Sequence, residues 1–237
     1  MTRYRYRYGH PYGALSGGGW SSDLKVNLQA VWPFNGDALD ATTNGYDMTL
    51  VNSPTYTTGK VNAQALQLQR ASTQYASRTE TDWDSNVEWT LASWFKVDSG
   101  ANDAENHTIM SKYASGVNLT LLMIINNTSR ALRVSIYDDT SVKSATRVGA
   151  LSKNTWYLAF GGVSSTTGKV ALNAEAATDV ALAAAPHVST APIKMGAWSI
   201  SSDLMDGIVG SSYVWSRWLP DAERSELYNS GAGKPYP

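Results

Sequence analysis

The sequence predicts an all-β sandwich of two antiparallel sheets, and three observations carry that expectation. Runs rich in β-branched and aromatic residues recur at spacings of roughly 8–12 residues, with turn residues between them. One run, Trp89–Val97 (WTLASWFKV), is bulky on both sides: Trp89, Leu91, Ser93 and Phe95 on one, Thr90, Ala92, Trp94 and Lys96 on the other. Such a strand belongs inside a sheet that is packed against something else. Only one stretch carries the start and stop signals of a helix. The 237 residues show no break in composition, and all-β sandwiches of about 200–250 residues form single domains. One domain, 24–237, is therefore expected behind an N-terminal arm, 1–23.

In the arm, Arg3, Arg5 and Arg7 alternate with Tyr4, Tyr6 and Tyr8; Tyr12 and Trp20 follow, with three glycines at 17–19 between them. The alternation suits an extended strand with one cationic and one aromatic face, and the glycines form a hinge. The body opens with LQAVWPFNG, whose strand must stop at Pro33 and turn through Asn35-Gly36; a second turn is expected at Asn44-Gly45. Strands are predicted at 46–51, 63–68, 74–78, 89–97, 107–113, 117–126, 131–138, 142–148, 155–163, 169–175, 193–199 and 206–216, with a polar loop at 99–106. The segment 131–138 alternates cleanly, with Leu132, Val134 and Ile136 inward and Arg133 and Ser135 outward. The helix is LPDAERSELYNSG, with Pro220 in its first turn, Asp221 and Glu223 at its positive end and Asn229 and Gly231 as its stop. Leu227 and Tyr228 would pin it to the sandwich.

Bulk properties narrow the function. With 19 basic and 20 acidic residues the net charge is −1, so no global field recruits nucleic acid or an anionic membrane. Charged residues make up 16% of the chain, against a typical roughly 25%. The absence of cysteine excludes disulfides and thiolate metal sites. MTRYRYRYGHPYG lacks the apolar core of a secretory signal, and the longest apolar run, VNLTLLMIIN, has the length of a strand. A soluble chain without its own export signal is expected, a leader removed ahead of this start staying open.

The core strand WTLASWFKV resembles the FTLSAWVK strand of laminin-G-like domains in the concanavalin-A-like lectin/glucanase superfamily, of the type found in bacterial and phage proteins. The opening VWPFNGDALDATTNGYDMTLVNSPTYTTGKVNAQALQL is similar to that family's entry pattern. DGIVGSSYVWSRWLPDAERSELYNSGAG is similar to its closing strand and helix. The likeness runs from about Leu28 to Gly233 and implies a concanavalin-A-like jelly roll. Where the family has a strand ending Y-x-N/D-G, this chain has VALNAEAATDV at 170–180. That departure removes the D-G turn and an acidic residue that some relatives place near calcium.

The resemblance admits lectins, adhesion modules, glycosidases and structural caps, so chemistry has to come from residues. A glycosidase needs two carboxylates flanking the scissile bond. The related glucanases carry them as E-x-D-x-E on one strand, and Glu80-Thr-Asp82-Trp-Asp84 is the nearest approach. It lies in an apparent loop, while Glu223 and Glu226 read as solvated helix charges. His10, His107 and His187 lack metal-binding spacing, and no nucleophile elbow or phosphate loop occurs. No catalytic residue is assigned. No cofactor is required; calcium is a candidate ligand, with Asp37, Asp40, Asp47, Asp98, Asp103, Asp138 and Asp139 as oxygen donors. For sugar binding, Trp83, Tyr113, Tyr137 and Trp198 lie near loops or strand ends, whereas Trp32, Trp94, Trp156 and Trp215 read as core.

The expected function is a non-enzymatic virion protein: a phage capsid decoration, head-fibre or tail component. Its arm (Arg3, Tyr4, Arg5, Tyr6, Arg7, Tyr8, Tyr12 and Trp20) would dock on neighbouring subunits by strand addition and favour a homo-oligomer. The sandwich would face outward and could bind surface glycans. No nucleic-acid or membrane partner is expected. The alternative is a freestanding carbohydrate-binding or adhesion module, extracellular or on a cell surface, and a glycoside hydrolase ranks last.

Overall fold

The computed structural model describes residues 19–79, 82–85, 87–113, 119–199 and 203–237, apart from the side chains of Asp82 and Leu119. The arm residues Arg3 to Tyr12 lie outside the described residues, as do His10 and Glu80.

Two antiparallel sheets stack face to face. The first holds eight strands: β1 (Leu28–Trp32), β3 (Thr55–Thr58), β4 (Gln64–Leu68), β6 (Trp89–Val97), β11 (Tyr157–Ser164), β12 (Thr167–Leu172), β13 (Thr178–Ala181) and β15 (Gly207–Trp215). Their order is β13-β12-β11-β6-β15-β4-β3. One edge of β15 serves two partners, Gly207 to Val209 pairing with β4 and Ser212 to Trp215 with β1. The second sheet holds β2 (Thr49–Val51), β5 (Tyr75–Arg78), β7 (His107–Tyr113), β8 (Leu119–Ile125), β9 (Leu132–Tyr137), β10 (Val142–Thr146) and β14 (Ile193–Met195), ordered β10-β9-β8-β7-β14-β5-β2. This is the jelly-roll sandwich expected from the sequence.

Strand β6 is central, between β11 and β15, and its two faces bury different cores. Trp89, Leu91 and Phe95 join the layer between the sheets, with Leu66, Ile109, Met123, Val134 and Ile193 among its members. Ala92 and Trp94 face away from the second sheet into a second cluster, with Trp215, Tyr213, Phe160 and Leu227. That outer cluster is roofed by the C-terminal helix, Asp221–Tyr228, whose Tyr228 stacks on Trp94 at 5.8 Å and 16°. Pro220 is its N-cap and Asn229, at φ 48°, ends it in the left-handed region.

Both predicted Asn-Gly turns form, with Gly36 at φ 93° and Gly45 at φ 72°, values that exclude most side chains. The lost D-G turn is replaced by Asn173. At φ 56° it donates its backbone N–H to the Leu158 carbonyl and accepts the Leu158 N–H on its side chain. The elements not foreseen include β3, β13 and a single helical turn at Ser22–Lys25 capped by Ser21. Both strands are four-residue segments at the sheet edges, TYTT and TDVA, without the apolar alternation that marks longer strands.

The arm boundary is corrected. Trp20, expected on the docking arm, is only 6% exposed. It stacks on Trp215 at 6.1 Å, and its indole N–H donates to the Lys234 carbonyl at 3.3 Å. Ser21 donates its backbone N–H to Glu226 at 2.8 Å. The folded body therefore begins at about Trp20, because a large aromatic gains more from burial in that cluster than from solvent.

Candidate functional site

The outer face of the seven-stranded sheet carries an unusual surface. Strand β8 reads LTLLMII without alternation. Leu121, Met123 and Ile125 enter the inter-sheet core, so Leu122 and Ile124 must point outward, yet both are buried. They are covered by Tyr113, Tyr137 and Trp198, which pack on them as a separate cluster. A strand that is apolar on both faces needs cover on both, and here three half-exposed rings supply it.

The rings come from separate elements. Tyr113 ends β7, Tyr137 ends β9, and Trp198 follows β14. The rings of Tyr113 and Trp198 sit 5.2 Å apart at 48°. Lys194 of β14 ties this pair together, donating to the Tyr113 carbonyl at 2.9 Å and the Trp198 carbonyl at 3.3 Å. Burial holds the Lys194 amine below its usual pKa. On the other side Tyr137 meets the His187 imidazole at 5.5 Å, and His187 Nδ1 lies 2.6 Å from Asp139 Oδ1. Thr120 donates to the His187 carbonyl at 3.0 Å, joining β8 to that loop.

Between the rings the sheet is lined with small polar side chains. Ser77, Lys194, Ser111, Leu122, Ser135 and Ser144 form one cross-strand row. The hydroxyls of Ser135 and Ser144 are 2.9 Å apart. Thr108, Ile124, Arg133 and Thr146 form the next row. Thr108, Ser111, Ser135 and Lys194 are buried within these rows, so the ring faces together with Arg133, Ser144 and Thr146 at the surface are what can stack on apolar ring faces and hydrogen-bond to polar substituents. The period-two reading of 131–138 placed Arg133 outward; its membership of this site needed the neighbouring strands.

Of the four aromatics expected at such a site, three converge and Trp83 does not. Trp83 is 3% exposed, in the inter-sheet core, edge-on to Trp89 at 5.2 Å. The expectation is corrected: its 3-10 turn, Asp82–Ser85, folds the indole inward. Trp32, Trp94 and Trp215 are buried as expected, while Trp156 is half-buried under Lys96.

The carboxylates have structural partners. Asp84 accepts from Lys112 at 2.6 Å, Thr120 at 2.7 Å and the Ser189 N–H at 3.1 Å, wholly out of solvent. Glu223 pairs with Arg217, and Glu226 accepts from Lys234 at 3.0 Å; neither is the freely solvated charge expected, because both tie the helix to the body. Among the calcium candidates, Asp40 accepts from the N–H groups of Val31, Thr42 and Tyr46, and Asp47 from that of Asp40. Asp37 accepts from Leu39, Asp98 from Gln67, and Asp103 pairs with Arg130 and Lys153. Asp138 accepts from the Thr140 hydroxyl and the N–H groups of Thr140, Ser141 and Ala183, which hold its pKa well below the usual carboxylate range. Among the described residues, no three His, Asp or Glu side chains converge as a metal site.

A family model described as the concanavalin A-like lectin/glucanases superfamily matches residues 70–223, well over half of the chain. The chain belongs to the concanavalin A-like lectin/glucanase superfamily. Solved structures share this superfamily fold at low identity. Domain 4 of the GH43 extracellular arabinanase AbnA from Geobacillus stearothermophilus, in complex with arabinotriose, is 13% identical with a TM-score of 0.62, over 84% of this chain and 97% of that one. The binding domain of Paraclostridial Mosquitocidal Protein 1 is 12% identical with a TM-score of 0.69, over 88% of this chain and 53% of that one. The binding domain of botulinum neurotoxin DC, in complex with SialylT, is 11% identical with a TM-score of 0.66, over 86% and 51%. This chain thus spans about half the length of the toxin binding domains. No curated protein matches the sequence significantly.

Proposed function

We propose that this lectin-like domain binds carbohydrate without catalysis, on the outer face of its seven-stranded sheet, and is carried on a larger assembly by the arm ahead of Trp20. One arrangement supports the reading. The ring cluster of Tyr113, Tyr137 and Trp198 lies outside one sheet, and Trp20, where the arm begins, lies outside the other. With the inter-sheet core between them, a tethered arm leaves the ring face pointing away from its anchor. The complex of the arabinanase domain with arabinotriose agrees in kind.

The assembly we favour is a phage virion, on the family likeness and on the alternating Arg/Tyr arm, which suits strand addition to a neighbouring subunit and homo-oligomer formation. The protein would then be made in the host cytoplasm. The second reading is a freestanding or enzyme-appended extracellular module. It is favoured by the near-complete coverage of an arabinanase domain.

Glycan-array binding of the full chain beside Trp198→Ala, with and without calcium chloride, tests the site. Loss of a sugar signal in the variant is expected, and an array with no binding overturns carbohydrate recognition. Co-sedimentation with purified virions, comparing the full chain with one starting at Gly19, tests the assembly. Failure of the full chain to sediment overturns the virion reading.

A further inference from the structure

We propose that the ring face selects acidic sugars, with Arg133 as the residue that reads their carboxylate. The inference rests on the carbohydrate-binding reading and names the substrate class for the same face.

Seven arginines lie among the described residues, and six have protein partners. Arg70, Arg130, Arg147, Arg217 and Arg224 each pair with a carboxylate, and Arg78 donates to the carbonyls of Gly45 and Asp47. Arg133 alone has neither an ion pair nor a side-chain hydrogen bond among the described residues, and it is half-exposed, so its guanidinium is open to a ligand from solvent. The position of Arg133 makes that ligand a ligand of the ring face. Its cross-strand neighbour is Ile124, one of the pair, Leu122 and Ile124, against which Tyr113, Tyr137 and Trp198 pack.

Lys194 on the same face is buried and donates to the Tyr113 and Trp198 carbonyls, which leaves Arg133 as the half-exposed cation beside the rings. Asp139 is held by His187 and Asp203 accepts from Asn106. A guanidinium fork matches a planar carboxylate with two parallel hydrogen bonds, whereas a neutral sugar hydroxyl satisfies one donor at most. Along β9 the residues run Arg133, Ser135, Tyr137 on one face, spanning roughly 13 Å at about 3.3 Å per residue. That length accommodates an oligosaccharide with its acidic unit at Arg133, a hydroxyl contact at the exposed Ser144 and a ring face on the aromatics.

The test uses matched pairs on the full chain: lactose against sialyllactose, and a hyaluronan hexasaccharide against its carboxyl-reduced form. Calorimetry is run on wild type, Arg133→Gln and Arg133→Lys, with melting temperatures as a folding check. Wild type should prefer the acidic member of at least one pair by about tenfold or more, the usual scale of a charge-assisted hydrogen bond. Which pair responds distinguishes a sialic acid from a uronic acid. Arg133→Gln should abolish the preference, read as the ratio of affinities for the acidic and neutral members, and Arg133→Lys should restore it in part. Equal affinity for both members in wild type, or a preference that survives Arg133→Gln, overturns the inference and leaves carbohydrate binding standing. Absence of binding to these pairs and to every glycan on the array overturns both.

Discussion

The indole of Trp20 meets the ring of Tyr236 edge-on at 5.2 Å, so the start and the end of the folded body are fastened to each other. Trp20 in turn packs on Tyr213 and Trp215 of the last strand, β15. Trp20→Ala should destabilise the domain by about 3–5 kcal/mol, as for other buried aromatic truncations. Urea unfolding of chains starting at Gly19 and at Leu24 separates arm from body: the second should unfold at clearly lower denaturant.

A different cost is expected at Asp84 and Lys112, a 2.6 Å ion pair with both side chains 1% exposed. Lys112 also lies over the Trp83 ring at 5.4 Å. Asp84→Asn removes this ion pair from a buried ammonium and should cost about 3–5 kcal/mol. The double change Asp84→Leu with Lys112→Met should recover much of it, since apolar replacement of a buried pair is often neutral. A double-mutant cycle in urea measures both; additive losses would contradict the coupling.

Asp138 should set part of the acid limb of stability. Its folded pKa is depressed by the Thr140 hydroxyl and by three backbone N–H groups. The unfolded state then binds the proton more readily. The stabilisation is full above the ordinary aspartate value of about 3.9 and is lost as pH falls below it. Asp138→Asn should lower the melting temperature at pH 7 and flatten its dependence on pH below about 4.

His107 works in the same direction at higher pH. Burial, and then the positive charge of Arg70, lower its pKa, so the folded state keeps it neutral where the unfolded chain binds a proton. Stability should be complete above about 6.5 and decline as pH falls through that value. Melting curves between pH 7.5 and about 5.5, wild type beside His107→Gln, check this; an equal slope in both would assign the loss elsewhere.

Trp83 and Trp198 offer an internal control for the candidate site. Trp83→Ala should cost about 3–5 kcal/mol and leave sugar affinity intact in the folded fraction. Trp198→Ala, from a half-exposed ring, should cost less stability and remove binding. Parallel unfolding and calorimetric titrations give both readouts.

The sequence by itself determined the class of fold and most of its strands. Trp89–Val97 announced a central strand because both its faces are bulky, and Asn35-Gly36 and Asn44-Gly45 announced turns because few other residues tolerate their backbone angles. The closing helix was legible from Pro220, its early acids and its Asn/Gly stop. These signals are local: each depends on a residue and its near neighbours in the chain.

Tertiary structure alone decided which aromatics face outward together. Trp83 and Trp198 look alike in sequence, each beside a loop, yet one fills the inter-sheet core and the other packs on the outer pair, Leu122 and Ile124. Strand periodicity assigns residues to alternate faces but does not say which face meets the other sheet when both are apolar, as in LTLLMII. The place of Arg133 was likewise hidden. Its outward direction follows from alternation, but its lack of a partner and its place beside the ring cluster depend on β8 and β10 pairing at its sides. Trp20 belonged to the body rather than the arm for the same reason, since its partners Trp215 and Tyr236 lie at the far end of the chain.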